Sequence, residues 1–368
     1  MLADTEVPVV IVGFGHADDM VKCLGALAGQ RGCPKIELFI CENGGPAAFD
    51  VLVEALSEKG GPCEGAVRRA DPASNDFVRA AQLRLAQGKA SVTVGEARDN
   101  GGYAGGINAW LRPLLAEPGW SAVWILNPDT APEPDALAEL VAYAATRGKG
   151  MVGSRLMIPG RSDITLSRGL KFNKLTGRLT GVDIFAPVSP EPDPEDVERR
   201  MDSPTGPSMY VTRTCIERTG LMDESFFLYW EEVDWAVRAK PACGVGYAHK
   251  SVVPHVMGTT TGSAGSRAKR SAFSVYLGHR NQLRFVRRHY PRWYPWTVLV
   301  TLARSGEYLV AGSTSNFVAA VRGVIAGLRG ETGRPDDLFP LQIAQSPVPQ
   351  KPQWRPNDAQ AEGATHES

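Results

Sequence analysis

The feature that most constrains this chain is an alternation of short β-branched apolar runs with helical stretches, sustained from Val7 to Val152. Val7 to Val12 (VPVVIV) and Ile36 to Ile40 (IELFI) read as strands, and Met20 to Leu27 between them reads as part of a helix. Ser91 to Val94, Ala122 to Leu126 and Gly150 to Val152 are expected as further strands. Ala47 to Glu58, Asp76 to Ala86 and Asp135 to Ala145 are expected as further helices. A strand that recurs after each helix implies crossover connections, so the pattern predicts an α/β fold with a mostly parallel sheet covered on both faces.

Such a sheet places ligands beyond the carboxyl ends of its strands. The residues there are distinctive. Gly13-Phe14-Gly15-His16 follows the first strand and Glu42-Asn43-Gly44-Gly45 the second, while Arg98 and the glycine-rich stretch Asn100 to Asn108 follow the third. The fourth strand runs into Asn127-Pro128-Asp129-Thr130. A carboxylate at a strand end can hold a hard divalent cation that also contacts two phosphates; the structural alternative is an Asx turn or helix cap. The glycines around Tyr103 allow backbone to approach a phosphate at a helix start, or form an ordinary tight turn.

A proline- and acid-rich stretch, Pro187 to Arg199, reads as a solvated loop dividing the chain into two halves. Beyond it, Met222 to Arg238 carries Glu231, Glu232 and Asp234 among Phe226, Phe227, Tyr229, Trp230 and Trp235. Carboxylates beside aromatic rings are partly desolvated, which raises their pKa toward that of a useful general base, and the rings offer apolar faces to sugars. The alternative is an acidic helix start with Arg238 as the i+4 partner of Asp234. His255 lies on Val252-Val-Pro-His-Val, before Gly258-Thr-Thr-Thr-Gly-Ser. Arg267, Lys269, Arg270, Arg280, Arg284, Arg287 and Arg288 then form a basic run that suits a diphosphate, an anionic membrane surface or a solvated helix.

Forty Lys and Arg balance forty Asp and Glu over 368 residues, which argues against a nucleic-acid binder. The six cysteines show no short metal or redox spacing and are expected as reduced thiols of a cytosolic protein. Asp4 and Glu6 precede the first apolar run, unlike a signal peptide. Two amphipathic helices are expected after Tyr290, one with Thr297, Thr301, Arg304 and Tyr308 on a face, the other with Phe317, Val321, Val324 and Leu328 on an apolar face. Arg304 and Glu307 interrupt Trp296 to Gly312, and with Arg322 and Arg329 they imply that Thr297 to Arg329 should lie against the catalytic domain or on a membrane surface rather than span a bilayer. The tail from Ser346 is expected to be disordered.

These motifs, in this order from Val7 to Pro291, resemble the family 2 glycosyltransferases, most closely the bacterial rhamnosyltransferase and galactofuranosyltransferase branch. The resemblance implies a GT-A (Rossmann-like) nucleotide-diphospho-sugar transferase fold over residues 1–290, with a donor-binding half to about 150 and an acceptor and catalytic half beyond it, then a helical region over 291–345 and a tail over 346–368. It implies an inverting, Mn2+- or Mg2+-dependent enzyme that moves a sugar from a nucleoside diphosphate to a glycan or lipid-linked acceptor, with dTDP-rhamnose as the first donor expected and a UDP-sugar the second. Carried onto this sequence, Gly13, Phe14, Glu42, Asn43, Arg98, Asn100, Gly102, Tyr103, Gly106, Asn108, Asn127 and Arg280 are the expected donor-binding residues. Asp129 and His255 are the expected metal ligands. Glu232 stands where the family has its general base, flanked by Glu231 and Asp234, and Tyr229, Trp230 and Trp235 are expected at the acceptor. The chain departs from the family pattern in having Glu42 for the commoner Asp, Glu231-Glu232 for Glu-Asp, and Asn127 in the metal motif. Peripheral contact with the inner face of the cell membrane and homo-oligomerisation are left open.

Two other readings compete. Gly13-Phe-Gly with Glu42 imitates a dinucleotide-binding oxidoreductase, although Asp18 occupies the position of the third small residue. A non-catalytic carbohydrate-binding module could use the same fold.

Overall fold

The computed structural model describes residues 6–86, 90–256 and 267–340. The Gly258 to Ser263 stretch and the tail from Ser346 lie outside the described residues. The chain divides into Met1–Arg334 and Pro335–Ser368. In the second unit the described residues form a turn, with Leu338 N–H donating to Pro335 O at 3.2 Å.

The first unit opens as β1 (Val7–Gly13), α1 (Ala17–Ala28), β2 (Ile36–Glu42), α2 (Pro46–Ser57), β3 (Cys63–Ala70), β4 (Phe77–Leu85), β5 (Ser91–Ala97), α3 (Gly102–Ala116), β6 (Ala122–Leu126), α4 (Ala136–Arg147) and β7 (Met151–Met157). It continues as β8 (Leu170–Asn173), β9 (Arg178–Gly181), α5 (Pro194–Arg200), β10 (Ser208–Thr212), α6 (Arg213–Thr219), α7 (Glu231–Cys243), β11 (Val245–Pro254), α8 (Ala272–His289), α9 (Tyr294–Val310) and α10 (Thr314–Arg329). Among the described residues one nine-stranded sheet has the order β11-β7-β10-β6-β1-β2-β5-β4-β3. The pairs β1/β2, β1/β6, β2/β5 and β7/β11 are parallel.

Successive residues of a strand point to opposite faces. Val7, Val9 and Ile11 therefore join Trp124 and Leu126 in the core beneath α1 and α4. Val10, Val12, Val123 and Ile125 face Trp110 of α3 and Trp235 of α7 on the other side. Both faces being covered explains why the central strands read as unbroken apolar runs. The fold is the expected α/β fold, with a mostly parallel sheet covered on both faces.

Four expectations need correction. Asp76 to Ala86 is not a helix but contains strand β4, antiparallel to β5. Its Ala, Gln, Leu and Arg favour helix, yet Ala81, Leu83 and Leu85 are buried between exposed Gln82 and Arg84, and pairing with β5 overrides propensity. Pro187 to Arg199 is not wholly a solvated loop, because its Asp193-Pro194 starts α5. The Asp193 side chain accepts from Glu195 N–H, Val197 is buried, and Glu198 accepts from the Tyr143 hydroxyl at 2.7 Å. Cys215 and Cys243 are joined as a disulfide rather than reduced, with Cα atoms 5.7 Å apart. Packing of α6 against α7 brings together two residues that no local spacing would pair.

The fourth concerns α10. Its expected apolar face is only partly the buried one: Val324 is buried, Phe317 and Val321 are half-buried and Leu328 is exposed, while the side toward α8 is a small-residue stripe through Ala319, Ala320, Gly323 and Gly327. A Cβ at Gly323 would overlap the carbonyl oxygen of Tyr276, so the two helices approach too closely for large side chains.

Candidate active site

The carboxyl ends of β1, β2, β5, β6 and β7 converge on one rim of the sheet, and the antiparallel β10 begins at that rim. At the first two ends Glu42 is buried and its Oε1 accepts from Gly15 N–H at 2.9 Å and Gly44 N–H at 2.8 Å. Burial pushes the Glu42 carboxyl upward, and these two donors partly offset it. Gly13 is required beside it, because a Cβ there would press on the Glu42 carboxylate. Phe14 stands exposed next to this turn.

A second set of bonds ties β2 to the start of α3. Asn43 N–H donates to Gly13 O at 2.9 Å and its Nδ2 to Gly102 O at 2.9 Å. Asn100 Oδ1 accepts from Gly102 N–H at 3.0 Å, and Gly106 lies against Val12 and Asn43. Tyr103 N–H donates to Phe227 O at 2.8 Å, locking the α3 start onto the segment before α7. The buried Tyr103 hydroxyl has no hydrogen-bond partner among the described residues. Burial raises its pKa well above the usual value, and the carboxylates of Glu231, Glu232 and Asp129 push it the same way. Two separate elements, α7 and the turn after β6, thus bring acids toward one phenol.

After β6, Asn127 N–H donates to Pro207 O at 3.0 Å, so the segment preceding β10 lies beside the Asn-Pro-Asp turn. Asp129 O accepts from Val256 N–H at 3.1 Å, and Thr130 bridges to His255. This puts His255 Nε2 3.3 Å from Asp129 Oδ1. Asn127 Oδ1 is buried without a hydrogen-bond partner among the described residues. No three His, Cys, Asp or Glu side chains among the described residues gather into a closed cation cage. The Asp129 and His255 side chains and an orphaned amide oxygen would suit a cation that takes its remaining ligands from substrate phosphates.

The segment Phe226 to Trp230 is held in an unusual backbone. Phe227, Tyr229 and Trp230 have φ of 66°, 70° and 77°, and such left-handed values in bulky residues cost about 1–3 kcal/mol each. Asn281 on α8 holds it, with Nδ2 2.8 Å from Phe226 O, 2.8 Å from Leu228 O and 3.0 Å from Tyr229 O. Arg280 Nη2 donates to Phe226 O at 3.0 Å. Glu231 and Glu232 then open α7, where the helix N-terminus favours negative charge. Burial raises both pKa values; Glu232 adds to the rise at Glu231, while backbone N–H groups at Glu232 and Val233 moderate that of Glu232. Glu231 Oε2 has no hydrogen-bond partner among the described residues. A Cβ on Gly206 would meet Glu232 Cγ at 3.3 Å. Glu232 therefore lies against the Gly206-Pro207 segment that also touches Asn127.

The rim so assembled contains Gly13, Phe14, Glu42, Asn43, Asn100, Gly102, Tyr103, Gly106, Asn127, Asp129, His255, Glu231 and Glu232. Several expected residues are placed elsewhere. Asn108 is buried and spends its amide on Met222 O, Met222 N–H and Glu224. Arg98 is exposed and donates to Asn75 O and Phe77 O. Arg280 is buried beneath the Phe226 segment. Asp234 is buried in an ion cluster with Arg238 at 3.0 Å, His289 at 2.7 Å and Arg288 at 3.2 Å, which includes its i+4 partner. Trp235, at 0% exposure, donates to Gly220 O from within the core, so it offers no face to an acceptor. Trp230 packs among Phe172 and Phe285, and the Tyr229 hydroxyl meets Ser274 Oγ at 2.9 Å. Gly206 and Pro207 join this rim as well, and Pro204-Thr-Gly-Pro is their turn signal in the sequence.

No protein-family model matches the chain. It is 22% identical over 245 residues to the low-salt glycan biosynthesis hexosyltransferase Agl10 of Haloferax volcanii, an alignment covering 65% of this chain and 76% of that protein. Residues 1–349 of S. aureus TarS, solved with UDP-GlcNAc, superpose with a TM-score of 0.50 at 10% identity, over 88% of this chain and 81% of that one. A Pyrobaculum calidifontis mannosyltransferase, solved with GDP-Man and Mn2+, gives 0.47 at 14% identity, over 88% and 86%. Sequence likeness to a hexosyltransferase and the shared fold together support a GT-A-like glycosyltransferase.

Proposed function

We propose that this glycosyltransferase works by single displacement on a nucleoside diphosphate sugar, with Glu232 as general base and inversion at the anomeric carbon. The supporting observation is the position of Glu232: at the start of α7, with a pKa raised by burial, and against the Gly206-Pro207 segment that hydrogen-bonds to Asn127. A carboxylate so placed takes the proton of an acceptor hydroxyl as its oxygen bonds to the anomeric carbon. The bond from that carbon to the diphosphate oxygen breaks, and the diphosphate leaves with the electron pair. Asp129, His255 and the Asn127 amide oxygen would hold a Mn2+ or Mg2+ ion, which when bound supplies positive charge for the diphosphate. Glu42, Asn43 and the Gly102–Gly106 start of α3 position the nucleoside side of the donor. By resemblance the donor is dTDP-rhamnose, with a UDP-sugar the next choice, and the acceptor is a glycan or a lipid-linked glycan.

The oxidoreductase reading loses support from one bond: Gly15 N–H, which a dinucleotide pyrophosphate would need, already donates to Glu42. Paired substitutions test the transfer reading. Glu232→Gln should lower turnover at least about a hundredfold while calorimetric binding of dTDP or UDP with Mn2+ stays near wild type. Loss of turnover in Glu231→Gln alone would move the base by one residue, and full activity in both variants would defeat the mechanism.

A further inference from the structure

Helix α9 is built inside out. Its buried positions, Thr297, Thr301, Ser305 and Tyr308, are polar, and Thr301 Oγ1 accepts from Gln282 Nε2 of α8 at 3.0 Å. Every exposed position from Pro295 to Val310 is apolar, among them Trp296 at 48%, Leu299 at 62%, Leu302 and Leu309. The one acid of the helix, Glu307, is half-buried among Arg178, Arg267 and Arg304. Trp296 Nε1 donates to Leu175 O at 2.8 Å, so the tip of the β8–β9 hairpin, with Leu175 63% exposed, extends the same apolar surface. Helix α10, joined through Ala311 to Ser313, adds exposed Val318, Ile325 and Leu328.

The border of this surface is basic. Lys171 and Lys174 lie on the hairpin, Arg292 precedes α9, and Arg322 and Arg329 are exposed on α10. Glu331, 3.7 Å from Arg329, offsets one of these charges. We propose that this face docks on the surface of an anionic lipid bilayer, with α9 lying in the interfacial plane. An apolar helix face with a tryptophan near one end and basic residues around it is the composition that such a surface binds. No helix among the described residues is long and apolar enough to span. A second copy is the poorer occupant, because two-fold pairing of this face would set its basic border against itself. The inference stands apart from the sugar-transfer reading, and its test does not require turnover.

Flotation of the full chain with phosphatidylcholine vesicles containing about one-third phosphatidylglycerol should show binding, weakened at least about tenfold on pure phosphatidylcholine or in ~0.5 M salt. The double substitution Leu299→Glu/Leu302→Glu should lose vesicle binding at least about tenfold, with an unchanged thermal midpoint and unchanged calorimetric binding of dTDP or UDP. Arg322→Gln/Arg329→Gln should weaken only the anionic-vesicle binding, by a few fold. Absence of wild-type binding, or equal binding by the Leu299/Leu302 variant, would overturn the proposal. Light scattering that showed this variant dissociating a dimer would instead assign the face to a second copy.

Discussion

Gly102 adopts φ of +71° at the point where α3 meets the Phe226–Trp230 segment, and a Cβ there would overlap the carbonyl oxygen of Phe227. That oxygen accepts from Tyr103 N–H, so neither partner can retreat without losing the bond. Gly102→Ala should therefore lower stability by more than the roughly 1 kcal/mol usual for a left-handed alanine, as read from denaturant midpoints, and depress turnover by displacing the start of α7. Glu231 makes a different residue-level prediction. Its pKa is raised in the fold, so its contribution to stability is fully present below the unfolded carboxylate value and is lost as pH rises through the raised one. Glu231→Gln should consequently stabilise the protein near neutral pH and flatten its stability profile between about pH 5 and 8. Urea melts across that interval check both points; a wild-type profile that rises with pH while the variant's stays flat would contradict the assignment.

At the scale of elements, α8 is the clamp that holds the Phe226–Trp230 segment. One Asn281 amide serves three carbonyls of a strained five-residue stretch, and Arg280 reinforces the first of them. Asn281→Ala leaves those buried acceptors short of a donor, at a cost of about 1–3 kcal/mol. We expect a lower thermal midpoint and a kcat reduced about tenfold or more, with nucleotide affinity nearly kept, since the donor-side bonds of Glu42 and Asn43 are untouched. Equal losses in kcat and nucleotide affinity would mean that α8 supports the whole rim. The Arg280-Asn281 pair was visible in the sequence as a motif, but its sequence neighbours do not show that it faces inward. Burial against α10 and the Phe226 segment decides that.

Over the whole molecule, the candidate cation position joins the end of β6 to the strand-end residue His255, elements more than a hundred residues apart. Asp129→Ala should abolish the Mn2+ dependence of dTDP or UDP binding, and His255→Ala should weaken it less. Calorimetry with and without Mn2+ measures this, and equal metal dependence in wild type and Asp129→Ala would refute the assignment. The same long-range assembly governs the acids: Glu232 reaches the Asn127 turn through Gly206 and Pro207, which precede a strand antiparallel to both its neighbours.

The sequence by itself determined the strands β1, β2, β5, β6 and β7: β1 and β6 are buried on both faces and are continuously apolar, and the other three hold apolar, mostly β-branched runs at their most buried positions. It also determined which strand ends carry polar and glycine-rich turns, since those residue types cannot enter the core. It could not place β4, whose two-residue alternation is carried by residues of helical preference, nor the insertion of β10 between β6 and β7. The resemblance singled out Glu232, but the sequence could not show that Asp234, two residues on along the same helix, turns away from the rim. The helical turn directs Asp234 to Arg238 and His289 while Glu232 stays at the rim, and only the packing of α7 between α6 and α8 fixes which side is which. Nor could periodicity tell the inner face of α9 from the outer, because its buried side chains are polar and its exposed ones apolar, the reverse of the rule for a helix that packs on a core.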